Sequence, residues 1–328
     1  MYKNNQADNL RDYGFDPSLV DKIKSNTPKP LFAIYYYLQL FLFAGVTCIA
    51  SGLSMLLYQH IDDIGHTALI ILTWVLCFIS YGFCWIKRMP FNKKRQVIHP
   101  LIYFDYILLF GALLLTGAFA YTQYQMGWLG SNWSATILLP CLILFISAYF
   151  FDQTTLLTMA IVLLGSWLGL QVAPYQLIAD GQFSQLNAVI AALLLGLFLI
   201  GIFFLTQQLQ IKLHFEFTYI NFALHILFIA TINALFFIKP ELIWWLLGAL
   251  FTAIVIWYAF YKSSFYFLLC GFIYGYFFLS YAVVRLCFII TDSSLSIYLL
   301  LIYFIASGIM LISYLRKFKQ LIYAAAIR

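Results

Sequence analysis

The chain has 328 residues, of which 64% are hydrophobic and 9% charged, against roughly 45 to 50% apolar residues in an ordinary soluble domain. That balance excludes a water-soluble globule. The formal net charge of +6 is not a nucleic-acid footprint either, because the basic residues sit beside hydrophobic runs, where they orient helices.

The first thirty or so residues form the one polar stretch. They lack the order of a signal peptide, so no cleavage is expected. Asp16 followed by Pro17 reads as an N-cap and first helical position, with Leu19, Val20 and Ile23 on one face of a short cytoplasmic helix. Ten apolar runs follow, at 32–58, 67–86, 101–121, 134–150, 155–173, 188–206, 217–238, 242–261, 265–290 and 296–315, each near the roughly twenty residues a helix needs to cross hydrocarbon. The expected fold is an all-α transmembrane bundle, with a tail at 1–31, ten helices over 32–315 and a basic tail at 316–328.

An even count places both ends on one side, and the positive-inside rule says which. Of the 18 Lys and Arg residues, all but Lys239 and Arg285 fall on the face shared by the termini, so both ends are expected in the cytoplasm. Trp128, Trp133, Trp244 and Trp245 fall at outer boundaries and Trp85 at an inner one, the level that amphipathic rings prefer. The six cysteines lie in apolar segments without metal-site spacing, which predicts buried thiols and no disulfide framework. The connecting loops are too short for a nucleotide-binding domain, and the G-x-x-x-x-G-K-[ST] motif is absent, so ATP-driven transport by this chain alone is not expected.

Ionisable groups within spans are functional candidates because burying them in lipid is expensive. Arg285 lies within snorkelling reach of an outer boundary, with Tyr281 and Tyr274 on its helical face, and reads as an interfacial anchor. Asp105 lies a comparable depth inside the inner boundary and needs a donor, from Lys94, Arg95 or another helix, or else a proton. Asp152 sits at the same boundary, and the two carboxylates form a conceivable intramembrane dyad that no glycine-rich context supports.

The seventh run carries His214, Thr218, Asn221 and His225 at spacings of 4, 3 and 4, which at about 100° per residue places them within an arc of about 60°. Such a stripe either lines a cytoplasm-facing vestibule or supplies interhelical hydrogen bonds. Gly165 with Gly169, and Gly271 with Gly275, are G-x-x-x-G pairs suited to close helix packing, and Thr47, Ser51 and Ser54 form a small polar seam in the first run. Pro140 is expected to kink the fourth helix and free the carbonyl of Thr136. His60, Asp62, Asp63 and His66 offer metal-capable groups on the outer side, although an exposed acidic loop is the plainer reading.

The stretch Gly14-Phe15-Asp16, the run Phe104-Asp105-Tyr106-Ile107-Leu108-Leu109 with Gly111 onward to Gln123-Tyr124-Gln125, then Phe151-Asp152 and Gly165-Ser166-Trp167-Leu168-Gly169 resemble the bacterial membrane-protein families of unknown function related to DUF2157. The resemblance covers residues 10–175 and extends beyond them only in hydropathy. It implies a polytopic helical protein of a bacterial cytoplasmic membrane, with Asp105 and Asp152 as its acidic positions and with no assigned activity.

Together these readings predict a non-enzymatic accessory, scaffold or regulatory membrane protein without cofactor. Its expected partners are lipids and, potentially, a second copy or another membrane protein, with no nucleic acid. The alternative is a secondary carrier for a small or amphipathic solute, entered along the seventh-helix stripe.

Overall fold

A computed structural model describes residues 34–59, 65–93, 97, 99–101, 103–130, 132–172, 186–290 and 293–325. Among them are ten α-helices: α1 (Ile34–Gln59), α2 (His66–Ile86), α3 (Phe104–Met126), α4 (Trp133–Phe151), α5 (Thr154–Val172), α6 (Leu186–Leu209), α7 (Glu216–Phe237), α8 (Glu241–Tyr261), α9 (Phe265–Ile290) and α10 (Ser293–Ala325). No strand occurs among the described residues. Nine of the helices are long and apolar enough to cross a membrane, and α1 adds a shorter apolar stretch, Leu38–Leu53. In lipid every backbone N–H and C=O must be satisfied within the chain, which a helix does without help from its neighbours. Apolar residues all round these helices then suit a surface facing lipid as well as protein.

The expected tail helix, and His60, Asp62 and Asp63 of the outer loop, lie outside the described residues. The apolar runs coincide with the helices to within a few residues, with two shifts. α3 begins at Phe104 and continues to Met126, ending where Gly127 turns left-handed (φ 56°). Both ends of the buried Gln123 amide seal that turn: Nε2 donates to the Gly130 carbonyl at 2.8 Å, and the Leu129 N–H donates to Oε1 at 2.9 Å. α10 is 33 residues long, about 50 Å at the α-helical rise, so the basic stretch expected as a tail from residue 316 continues the helix to Ala325.

The chain divides into two compact units, Met1–His60 and Ile61–Arg328. In the first, Thr47 and Ser51 of the α1 seam bond to their own helix: Thr47 Oγ1 donates to the carbonyls of Phe43 and Ala44, and Ser51 Oγ to that of Cys48. A hydroxyl in an apolar helix takes this option whenever its own preceding turn is the nearest acceptor. Cys48 is exposed and Cys287 half-buried, so only Cys77, Cys84, Cys141 and Cys270 fit the expected burial.

Within the second unit the main helix contacts are between chain neighbours, α2 with α3, α4 with α5, α6 with α7, and α8 with α9. Short connections leave consecutive helices no other arrangement than side-by-side hairpins. Two apolar clusters result. The first draws on α2 to α7, around Leu108, Leu144, Leu156, Leu157 and Leu199, all fully buried. The second runs from α7 to α10, around Phe228, Leu235, Leu268 and Phe278. α7 is the shared wall, giving Tyr219 and Ala223 to the first and Leu224, Phe228 and Leu235 to the second. The division falls at α7 and not midway between two sets of five helices.

Pro140 is buried inside α4, which runs through it from Trp133 to Phe151, and the Thr136 hydroxyl is buried without a hydrogen-bond partner. The close approaches between helices lie elsewhere. A Cβ on Gly271 would stand 2.8 Å from Ile256 Cγ1, and one on Gly275 2.7 Å from Thr252 Cγ2, so this pair seats α9 on α8. At Gly165 the nearest atom would be Leu195 Cδ2 at 3.8 Å, an ordinary contact that does not require glycine.

Candidate functional site

Three connections meet at one end of the second unit, those after α2, α4 and α6. Asp152 closes α4 in a left-handed conformation (φ 62°), and Lys212 precedes the short 3-10 turn Leu213–Phe215 with φ 49°. Neither is a glycine, so both left-handed residues must be held by their surroundings. They hold each other: Lys212 Nζ lies 2.9 Å from Asp152 Oδ2, and the two side chains are 1% and 3% exposed. The Val97 N–H donates to the same oxygen at 2.6 Å, and the Lys212 N–H donates to the Lys93 carbonyl at 2.8 Å. Phe91 covers the ammonium, its ring centre 4.5 Å away.

His214 completes this cluster. Its Nε2 lies 2.7 Å from Asp152 Oδ1, close enough to pair by charge, although among the described residues neither ring nitrogen has an aligned hydrogen bond. Burial pushes the Asp152 carboxyl up, but the approach of His214, the Val97 N–H and Lys212 outweigh it and hold the group below the usual carboxylate range. A buried carboxylate with an ammonium and a backbone N–H on one oxygen is an ion-paired anion rather than a proton donor.

This geometry divides the sequence stripe. His214 belongs to the 3-10 turn, and only from Glu216 does α7 run as an α-helix. The angular reckoning that joined His214 to Thr218, Asn221 and His225 therefore does not apply across the turn, because a 3-10 turn advances about 120° per residue. Thr218 is buried. Asn221 and His225 face α9: Tyr266 donates its hydroxyl to Asn221 Oδ1 at 2.5 Å, and the His225 ring nitrogens lie 2.9 Å from the Tyr274 hydroxyl and 3.1 Å from that of Tyr266. Tyr274 in turn stacks on Phe228, with ring centres 4.1 Å apart and 9° between planes.

The remaining charged candidates find partners that hydropathy does not reveal. Arg285 contacts the Glu241 carboxylate at the start of α8, and Tyr281 donates to the same carboxylate oxygen at 2.8 Å. The sequence reading placed Tyr281 beside Arg285 but missed Glu241. Glu216 pairs with Lys262 at 2.7 Å and accepts from Tyr258 at 3.3 Å. Asp105 is not deep within a span. It lies in the first turn of α3, and its carboxyl is hydrogen-bonded by Gln153. The expected donors Lys94 and Arg95 lie outside the described residues.

His66 opens α2, and its Nδ1 meets the Tyr121 hydroxyl at 2.8 Å. Among the described residues no group of three or more His, Cys, Asp and Glu is placed to hold a metal ion.

The missed residues, Lys212, Glu241, Tyr266 and Lys262, share one signal. Each polar group in or beside a span has a complementary group near the same end of another helix. The class this fold defines is the polytopic α-helical membrane protein. Comparison with protein-family models, curated proteins and solved structures found no match.

Proposed function

We propose that this chain is a multi-pass protein of a bacterial cytoplasmic membrane, with both ends in the cytoplasm, that acts as a non-enzymatic accessory or scaffold component. The observation carrying this reading is the use of the polar groups that a solute path would need. Asn221 and His225 are engaged with Tyr266 and Tyr274, and His214 with Asp152. Polar side chains spent on interhelical bonds bind α7 to its neighbours and leave their hydrogen-bonding capacity inside the bundle. The orientation draws support from the cations Lys87, Arg88, Lys93, Lys212, Lys262, Arg316 and Lys317, which flank alternate helix ends, against Lys239 and Arg285 toward the opposite ends.

Thiol accessibility tests the role. Asn221→Cys and His225→Cys, each in a cysteine-free background, should resist a membrane-impermeant reagent added from the cytoplasmic side. Labelling at both positions would replace this reading with that of a secondary carrier. One observation favours that second reading: α7 is the wall between two packing clusters. A shift of one cluster against the other would part His225 from Tyr266 and Tyr274 and open the stripe to the cytoplasm.

A further inference from the structure

We propose that the connection after α2 is a docking surface for anionic phospholipid headgroups, with the Arg88 guanidinium as its fixed phosphate contact. Trp85 of α2 and Phe150 of α4 stack with ring centres 4.9 Å apart and 12° between planes. Arg88 Cζ lies over both, 4.5 Å from the Trp85 ring centre and 5.0 Å from that of Phe150. Arg88 is exposed, and among the described residues its guanidinium has no hydrogen-bond or carboxylate partner. A guanidinium within cation–π reach of two rings from different helices is held in place, and with no hydrogen-bond partner among the described residues its donors can meet a phosphate in bidentate fashion.

The surrounding chain has the composition of a headgroup layer. Lys87, Arg88, Lys93, Lys94 and Arg95 place five cations in nine residues with no acid between them. Among the described members, Lys87, Arg88 and Lys93 are exposed, and so are the interleaved Trp85, Ile86, Met89 and Phe91. Apolar side chains alternating with cations at the end of a membrane helix suit the boundary where acyl chains meet phosphates.

The nearby acids do not consume these cations. Asp152 is taken by Lys212 and His214, and Asp105 is bonded by Gln153. The same buried cluster holds the connection through the Lys93 carbonyl and the Val97 N–H, while the side chains of Lys87, Arg88 and Lys93 are exposed. A basic loop that served only to orient helices would work by charge count, and would gain nothing from a guanidinium laid across two stacked rings.

The inference rests on the membrane placement proposed above but on neither functional role. The test uses the full chain in nanodiscs of phosphatidylcholine with and without phosphatidylglycerol, with retained lipids counted by native mass spectrometry. Both faces of a nanodisc carry the same lipid, so chain orientation does not enter. The wild type should retain phosphatidylglycerol preferentially. Arg88→Gln should reduce that preference about fivefold, the worth of one cation at an anionic surface.

Arg88→Lys, which keeps the charge and loses the bidentate N–H donors of the guanidinium, should fall clearly below the wild type, while Arg316→Gln should leave the preference intact. The proposal is overturned if Arg88→Lys matches the wild type, or if Arg316→Gln loses as much as Arg88→Gln. It is also overturned if inorganic phosphate displaces phosphatidylglycerol from the wild type, because the site would then belong to a free anion.

Discussion

Replacing Asp152 with alanine is expected to destabilise the folded chain by roughly 3 to 5 kcal/mol, the usual consequence of leaving a buried partner charge uncompensated. Lys212 would keep an ammonium 1% exposed with no carboxylate, and the Val97 N–H would lose its acceptor. Thermal unfolding in detergent measures the loss. The double variant Asp152→Ala with Lys212→Met should recover most of it, because removing both charges of a buried pair is often neutral. An equal loss in the double variant would mean that the ion pair is not what stabilises this junction.

The same group sets an acid limit. The folded carboxyl is held below its unfolded value of about 3.9. Its contribution is therefore fully present above that value and is lost as the pH falls through the folded one. Unfolding scans of wild type and Asp152→Ala should converge only in strongly acidic buffer, and convergence already at neutral pH would contradict the assignment.

Gly248→Leu is expected to separate α8 from α9. A Cβ there would stand 2.2 Å from two atoms of the Phe278 ring, and Phe278 is 2% exposed within the second apolar cluster. The ring has little freedom to retreat, since its own backbone carbonyl accepts the Trp245 indole N–H at 2.8 Å. Overpacking of this kind costs about 1 to 3 kcal/mol, and more where neighbours cannot move. Adding Phe278→Ala to Gly248→Leu should restore part of the stability by making room. If Gly248→Leu unfolds at the wild-type temperature, the two helices are not in this contact.

The helix positions were legible because the constraint that sets them is one-dimensional. About twenty apolar residues must follow one another to cross lipid, and charges must collect between such runs. Which helices touch is a two-dimensional matter, and there the pattern was silent or misleading. Lys212 counted as one more orienting cation, yet it is buried against Asp152 from a different connection. Gly165 had a partner at the favoured spacing and sits in no close contact, whereas Gly248 had none and sits in the tightest of those described. Of the polar stripe, Thr218, Asn221 and His225 all lie on α7. Its lower end was misplaced because two left-handed residues, Gln210 and Lys212, and a 3-10 turn reset the helical phase before Glu216.

The pairing of Asp152 with Lys212 also bears on the order in which the protein is made. The carboxylate is synthesised about 60 residues ahead of its cation, several seconds at ordinary rates of translation. Throughout that interval α2 to α5 and their connections offer the acid that ends α4 the Val97 N–H but not the ammonium of its ion pair. The Lys93 carbonyl likewise receives its donor, the Lys212 N–H, only from the connection after α6. The junction of the three connections is therefore complete only once the last of them has been made, because one of its two buried charges follows the other in the chain.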